Sequence, residues 1–420
     1  MSPISAHIST SYRVATRRGS AYIIVLSTVL LVAVAGVSGV IAVREQRRSV
    51  EMSVEVDKAR FIAQSAMELA EGQLQNTTSY RSGITSGTVV SSRAIAGGTM
   101  RVAAADPSDS NLGNSTLDDV VLTATGVYGN ATQIYQRRFK PSTTPLDSLS
   151  VSAYAGTNLS FSSATVRAYG VLGCAGTATA LFSNVWADVE AGVLATGLTF
   201  RQSAQSLAPT RTLPTSTDAL AAYLAMGTQI NYSSLSGGGE IRDAVLGPGR
   251  NPYGAANAAG VYYINCGNQS ITIRNARISG TLVLVNPGSG SSFTKSVLLE
   301  AATPGYPALL VTGDMTLNMD STDLSEGSAN MNPTGAPYQG VTDSDTTDKY
   351  PSMISGLIYV SGNLTIDGST TIYGPVLCAK AITFKGSPVL YPVTPGPTPP
   401  GFSTAGGFAP VSGSWARVTN

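Results

Sequence analysis

The first strong pattern along the chain is an unbroken apolar run. Ala21 to Val43 holds 23 residues without a charge. As a helix rising 1.5 Å per residue, the run would span about 34 Å, enough to cross a hydrocarbon core of about 30 Å. From Arg44 to Gln75 there is no proline and a single glycine, Gly72. Apolar residues there recur at Val56, Ala59, Ile62, Ala63, Ala66, Leu69, Ala70 and Leu74. Spacings of three and four place them on one helix face, with Glu45, Glu51, Glu55, Asp57, Glu68 and Glu71 on the others. One long helix over 20–75 is predicted, transmembrane over 21–43.

Beyond residue 75 the period drops to two. Strands are predicted at Thr88–Val90, Thr99–Ala103, Asp119–Ala124 and Thr132–Phe139, separated by Gly, Asn, Ser and Asp. The last two read as a hairpin turning at Tyr128-Gly129-Asn130. A small β-domain over 76–148 follows, with a polar, proline-bearing boundary at Lys140–Pro145.

Past that boundary the chain repeats itself. The segment opening at Tyr154 and the segment opening at Tyr359 share Asn158-Leu159 with Asn363-Leu364, Tyr169-Gly170 with Tyr373-Gly374, and Cys174 with Cys378. Weaker echoes run through Pro307–Leu317 and Ile278–Val285. A unit of short strands and Gly or Asn corners cannot bury its own inner face, but stacked units can. The fold class predicted is therefore mainly β: a long N-terminal transmembrane helix, a small β-domain, then a parallel β-helix or β-solenoid over 149–392. An antiparallel sandwich is the alternative for the same short strands. Two excursions interrupt the solenoid, near 205–257 and 318–352, and the first contains a capped helix from Thr217 to Met226. Residues 393–420 read as a Pro/Gly-rich extended tail.

Composition narrows the chemistry. The chain has 26 Lys+Arg against 25 Asp+Glu, a balance that argues against a nucleic-acid binder. Charged residues are only 12%, which suits side chains stacked in register, because like charges would repel. The one histidine, His7, precedes the apolar run, so an imidazole base or zinc ligand is not expected in the mature chain. Cys174, Cys266 and Cys378 form no CxxC pair and read as buried thiols, with one disulfide as the alternative.

The residues around the apolar run resemble a known family. Arg17-Arg18-Gly19-Ser20 abuts it directly, as the basic leader and glycine of type IV prepilins do. The resemblance implies cleavage by a prepilin peptidase between Gly19 and Ser20, leaving 1–19 as a leader. Major pilins carry Glu as the fifth mature residue, where this chain has Ile24. The segment Ala59–Leu74 is similar instead to PilX-type pilus-assembly proteins and large minor pseudopilins. The stretches Pro307–Asp314 and Gly356–Leu364 resemble bacterial envelope proteins that join such an N-terminus to a β-helix.

The function these readings imply is a non-enzymatic, pilin-like envelope protein of a type IV pilus or a type II secretion pseudopilus. Its partners would be the inner membrane, other pilin-like subunits through the helix, the peptidase and, as a candidate, a surface polysaccharide; no nucleic acid is expected. The location implied is the bacterial inner membrane, single pass, with the C-terminal domain periplasmic or extracellular, displaying the solenoid for adhesion. The alternatives are a membrane-anchored carbohydrate-binding or carbohydrate-active β-helix and a self-polymerising scaffold. No catalytic, metal or cofactor site is expected. The loop Asp343–Asp348 has three carboxylates but lacks EF-hand spacing, so it reads as a solvated acidic loop. The remaining charged candidates for enzymatic chemistry on a β-helix, Asp314, Asp320, Asp323, Glu326, Arg274, Arg277, Lys380 and Lys385, show no pairing by spacing.

Overall fold

The computed structural model describes residues 18–76, 87–113, 118–195, 202–327, 329–393 and 396–419. Its two units are Met1–Pro141 with Gly407–Asn420, and Ser142–Gly406. His7 and most of the expected leader lie outside the described residues.

In the first unit, helix α1 runs without a break from Arg18 to Asn76. It faces strands β1 (Thr88–Ile95), β2 (Gly98–Ala105), β3 (Val120–Tyr128) and β4 (Ala131–Pro145), an antiparallel meander in that order. The hairpins are tight for local reasons. Ala96-Gly97 both take positive φ, the geometry of a two-residue hairpin loop, and Gly129 takes φ +55° between the paired Tyr128 and Ala131. The C-terminal residues also join this sheet: the strands Ser403–Pro410 and Ala416–Val418 both pair with β4. They replace the extended tail predicted there; the Trp415 ring lies 5.5 Å from that of Tyr135, tilted by 34°, giving that segment an apolar anchor.

The stripe on α1 that packs on this sheet is Ala59, Ile62, Ala63, Ala66, Met67, Ala70 and Leu74, all buried. Small residues dominate it because the sheet comes close. A Cβ on Gly126 of β3 would overlap the α1 backbone at Ala59 and Ala63. Val56 and Leu69, placed in the stripe by the sequence, lie at its edge and are exposed.

The second unit is a parallel β-solenoid with three walls, built from 22 described strands. The first wall stacks Val261–Asn265, Thr281–Val285, Leu309–Thr312, Ile358–Val360, Val376–Cys378, Ala153–Ala155 and the start of Leu172–Leu181. The second includes Met315–Met319, Leu364–Gly368, Ile382–Phe384 and Leu159–Ser162. The third includes Met353–Ser355, Thr371–Tyr373, Val389–Tyr391, Thr165–Ala168 and Asn184–Trp186. Inward residues such as Leu284, Leu317, Ile354, Ile366 and Phe384 make one continuous core.

The order of coils is not the order of the chain. The chain enters mid-stack, where Ala153–Ala155 pairs with Val376–Cys378, and winds to one end through Val189–Leu194. It then crosses outside the walls and restarts at the opposite end with Thr228–Gln229, which pairs with Val261–Asn265, and Glu240–Leu246, which pairs with Thr272–Ser279. From there it winds back until its last coil meets its first. Glu240–Leu246 falls inside the excursion drawn from the sequence, yet it is a solenoid strand.

The crossing segment carries helix α2 (Ser216–Met226), capped by the Thr215 hydroxyl, which accepts from the Asp218 amide. Ala219, Leu220 and Tyr223 of α2 cover the outer side of the first wall together with Leu149 and Phe402. The wall's outward Tyr154, Val283, Leu310, Tyr359 and Leu377 are buried beneath them. A wall covered on both faces is apolar at successive positions, and Leu309-Leu310-Val311 and Ile358-Tyr359-Val360 read that way for this reason.

The second excursion covers the upper third wall. Leu324, Met331, Ala336 and Tyr350 lie on Val245 and Leu298. Arg277 is buried among them and donates to the carbonyls of Met331 and Ala336, so one guanidinium ties the excursion to the wall.

Candidate functional site

Below that excursion no described segment covers the third wall, and its outward residues are aromatic and charged. The register pairs Tyr373 with Tyr391. Their rings stack with centroids 4.5 Å apart and planes 7° apart, and Tyr391 stacks on Tyr169 at 4.8 Å and 7°. These spacings are those of neighbouring strands, so backbone register alone holds the three rings in a pile. Burial against the flanking rings, and their electrostatic and hydrogen-bonding influence, raise the Tyr391 hydroxyl above its ordinary value.

The pile ends at Tyr169, which is 64% exposed. In the next coil Trp186 pairs with Arg167, which puts Asp188, two residues on, at the ladder position after Tyr169. Asp188 supplies no ring. Its Oδ1 accepts from the Ser203 amide at 3.1 Å and the Ser203 hydroxyl at 2.5 Å. A cavity of about 460 Å³ opens at this place, lined by Arg167, Tyr169, Trp186, Asp188 and Gln202. Arg167 is exposed and forms no ion pair among the described residues. The cavity thus offers one open ring face, a second aromatic, a cation and a hydrogen-bonded carboxylate.

A second cluster lies in the excursion over the upper third wall. Glu326, Asp343 and Asp348 bring carboxylate oxygens within 4.8 Å of one another. The buried Glu326 accepts from the Met331 amide, the Asp348 amide and the Tyr350 hydroxyl. Asp343 accepts from the side chains of Asn330 and Asn332. Desolvation, then the neighbouring carboxylates, raise Asp348. These bonds close the excursion on itself, while residues 344–348 of the loop are exposed. Asp345, by contrast, accepts from the amide and hydroxyl of Thr347, two residues on.

The other charged candidates are dispersed. Arg274 pairs with Glu240 at 3.0 Å, Asp320 with Lys295 at 4.0 Å, and Asp314 accepts from the Asn363 amide across a corner. Asp323, Lys380 and Lys385 are exposed. Arg277 is inside the protein, on backbone carbonyls. The three cysteines are free and buried, and burial pushes Cys174 and Cys266 up to about 11 and Cys378 to about 12. Gly19 and Ser20 are in the first turns of α1.

No family model matches the chain, and no curated protein matches it significantly. Two solved structures are similar over long stretches. One is the competence-associated pilin ComZ from Thermus thermophilus, 12% identical, covering 87% of this chain and 97% of that one, with a TM-score of 0.26. The other is an ice-binding protein (LeIBP) from an Arctic yeast, 16% identical, covering 60% of this chain and 94% of that one, with a TM-score of 0.30. At such scores neither likeness bears on fold or function.

Sequence reasoning singled out Tyr169 and Tyr373 as repeat partners but missed Tyr391, Trp186 and Asp188. The available signal was the ending shared by Thr371-Ile372-Tyr373, Val389-Leu390-Tyr391 and Arg167-Ala168-Tyr169, each followed by Gly or Pro.

Proposed function

We infer that the chain is a non-enzymatic, pilin-like subunit of a bacterial envelope, held by α1 and displaying its β-solenoid for surface contact. The observation that carries this reading is the division of one unbroken helix. Every described side chain from Ala21 to Val54 is exposed, and 21–43 is apolar on every side. From Ala59 onward the same helix is packed on an antiparallel sheet. An apolar helix surface without protein cover is stable in a bilayer or against other apolar helices, and a pilin-like subunit uses both in turn.

On this reading a prepilin peptidase cuts between Gly19 and Ser20. The subunit then rests in the inner membrane with its β units outside. It is drawn into a pilus or pseudopilus through contacts between helices. The test is the intact mass and N-terminal residue of the protein extracted from its native envelope. A chain beginning at Ser20 is expected. A chain that retains residues 1–19 overturns the processing step and leaves a fixed anchor. A chain beginning at Gly36, cut after the A-x-A signal-peptidase site Ala33-Val34-Ala35, overturns the anchor.

A further inference from the structure

We propose that the cavity at the end of the tyrosine pile binds a carboxylated sugar residue of a polysaccharide, with the sugar ring stacked on Tyr169. The inference names a ligand for the displayed solenoid, so its biological setting rests on the reading above, while its chemistry rests on the third wall alone.

Four features converge on this ligand. The first is a vacant step in a regular ladder. Tyr373, Tyr391 and Tyr169 succeed one another at 4.5 and 4.8 Å, and the next position holds Asp188 in place of a ring. A flat ring of the ligand continues the pile on the open face of Tyr169. The second is the shape and lining of the space. About 460 Å³ accommodates a sugar residue with part of its neighbour, and Trp186 supplies a further aromatic surface. Aromatic faces suit the C–H face of a pyranose, which is apolar, while its edge is ringed with hydroxyls.

The third is hydrogen-bonding capacity. The Asp188 carboxylate, fixed on one oxygen by Ser203, has lone pairs left for ligand hydroxyls, and the Gln202 amide can donate or accept. The fourth is charge. Arg167 presents a planar guanidinium that forms no ion pair with a described acidic residue, and a bidentate carboxylate is its best-matched partner. A ring with one apolar face, several hydroxyls and a carboxylate is an acidic sugar.

A stacked nucleobase is the competing occupant of such a platform. It is disfavoured here because strands of nucleic acid need several cations along the backbone, and among the described residues this cavity sets one Arg beside one Asp. The pile also has a direction. From the cavity the edges and hydroxyls of Tyr391 and Tyr373 run on along the solenoid, giving the next sugars of a chain further polar contacts.

The test uses the full chain in detergent micelles, titrated calorimetrically with oligogalacturonate, with neutral cello-oligosaccharide and with single-stranded oligothymidylate. Oligogalacturonate is expected to bind and the neutral oligosaccharide to bind less tightly. Tyr169→Ala should weaken oligogalacturonate about tenfold or more, since stacking area is lost from an exposed ring that carries little of the fold. Arg167→Gln should abolish the preference for the acidic over the neutral chain while leaving residual binding. An unchanged thermal melt checks that both variants are folded. No binding of oligogalacturonate at millimolar concentration overturns the proposal, as does binding that survives Tyr169→Ala, or oligothymidylate binding more tightly than the sugar. A failed titration beside a chain beginning at Ser20 removes the ligand and leaves the pilin-like reading. Binding by a chain that retains residues 1–19 does the reverse.

Discussion

The helix over 21–43 and the first wall of the solenoid are both apolar on every side, yet the protein covers only one of them. In the wall, Leu284 and Val311 point into the core, while Val283 and Leu310 point outward and are buried under α2 and Phe402. Along the helix, Leu26, Leu30, Leu31 and Val34 are all at least 58% exposed. The wall obtains its second face of cover from the same chain, and its apolar run therefore reports on the fold. The helix obtains none, and its apolar run reports on what surrounds the protein. The lower third wall is intermediate: its aromatic residues are uncovered but interleaved with Arg167 and Asp188, which suits a soluble, polar ligand better than a lipid.

The contrast can be broken most strongly in the helix. Leu31→Arg combined with Val34→Arg should oppose membrane insertion by roughly 5–7 kcal/mol, and should release the protein from membranes at alkaline extraction. The melting of the β units should stay unchanged, because neither residue touches them. Next, Leu310→Ala in the covered wall should cost about 2–5 kcal/mol in denaturant unfolding, whereas Tyr169→Ala on the bare wall should stay within about 0.5 kcal/mol. If the two cost the same, α2 does not protect the first wall in the way described.

A smaller effect follows from the buried thiols and phenols. Burial holds Cys378 up to about 12, and Tyr359 up to about 12 chiefly by desolvation. These groups stay protonated in the folded chain after they would ionise unfolded, so unfolding releases protons at high pH. Their contribution is intact below the unfolded values, 9.0 for Cys378 and 10.0 for Tyr359, and is lost as pH rises toward about 12. Thermal melts should be flat up to about pH 9 and then decline. Among the substitutions expected to destabilise, the mildest is Thr215→Ala, which removes the α2 cap and should cost about 1 kcal/mol.

How much of this was legible depended on whether the signal was local. The two halves of α1 could be read because an uncharged run and a three-four stripe are both written in consecutive residues. The repeat was visible because Asn158-Leu159 and Asn363-Leu364 occupy the same wall, two coils apart, in equivalent corners. The meeting of the first and last coils was not visible, since pairing of Ala153 with Val376 leaves no mark near either residue. The same holds for the cavity: Arg167, Trp186 and Asp188 are ordinary residues until register stacks them. Tyr391 does not stand out in the sequence, because Pro392 follows it and the proline-rich text beyond reads as a tail. Glu326 and the loop Asp343–Asp348 come together because the excursion folds back through the Leu324–Tyr350 pairing.

The most direct test of the contrast is labelling in lipid nanodiscs. Ile24→Cys, Leu31→Cys, Ser38→Cys, Glu45→Cys and Met52→Cys would each be reacted with a water-soluble maleimide. The native thiols at Cys174, Cys266 and Cys378 are buried and give a low background. The expected result is protection at 24, 31 and 38, and rapid labelling at 45 and 52. Equal labelling at all five positions would contradict a bilayer around 21–43, and with it the division of α1 on which the functional reading stands.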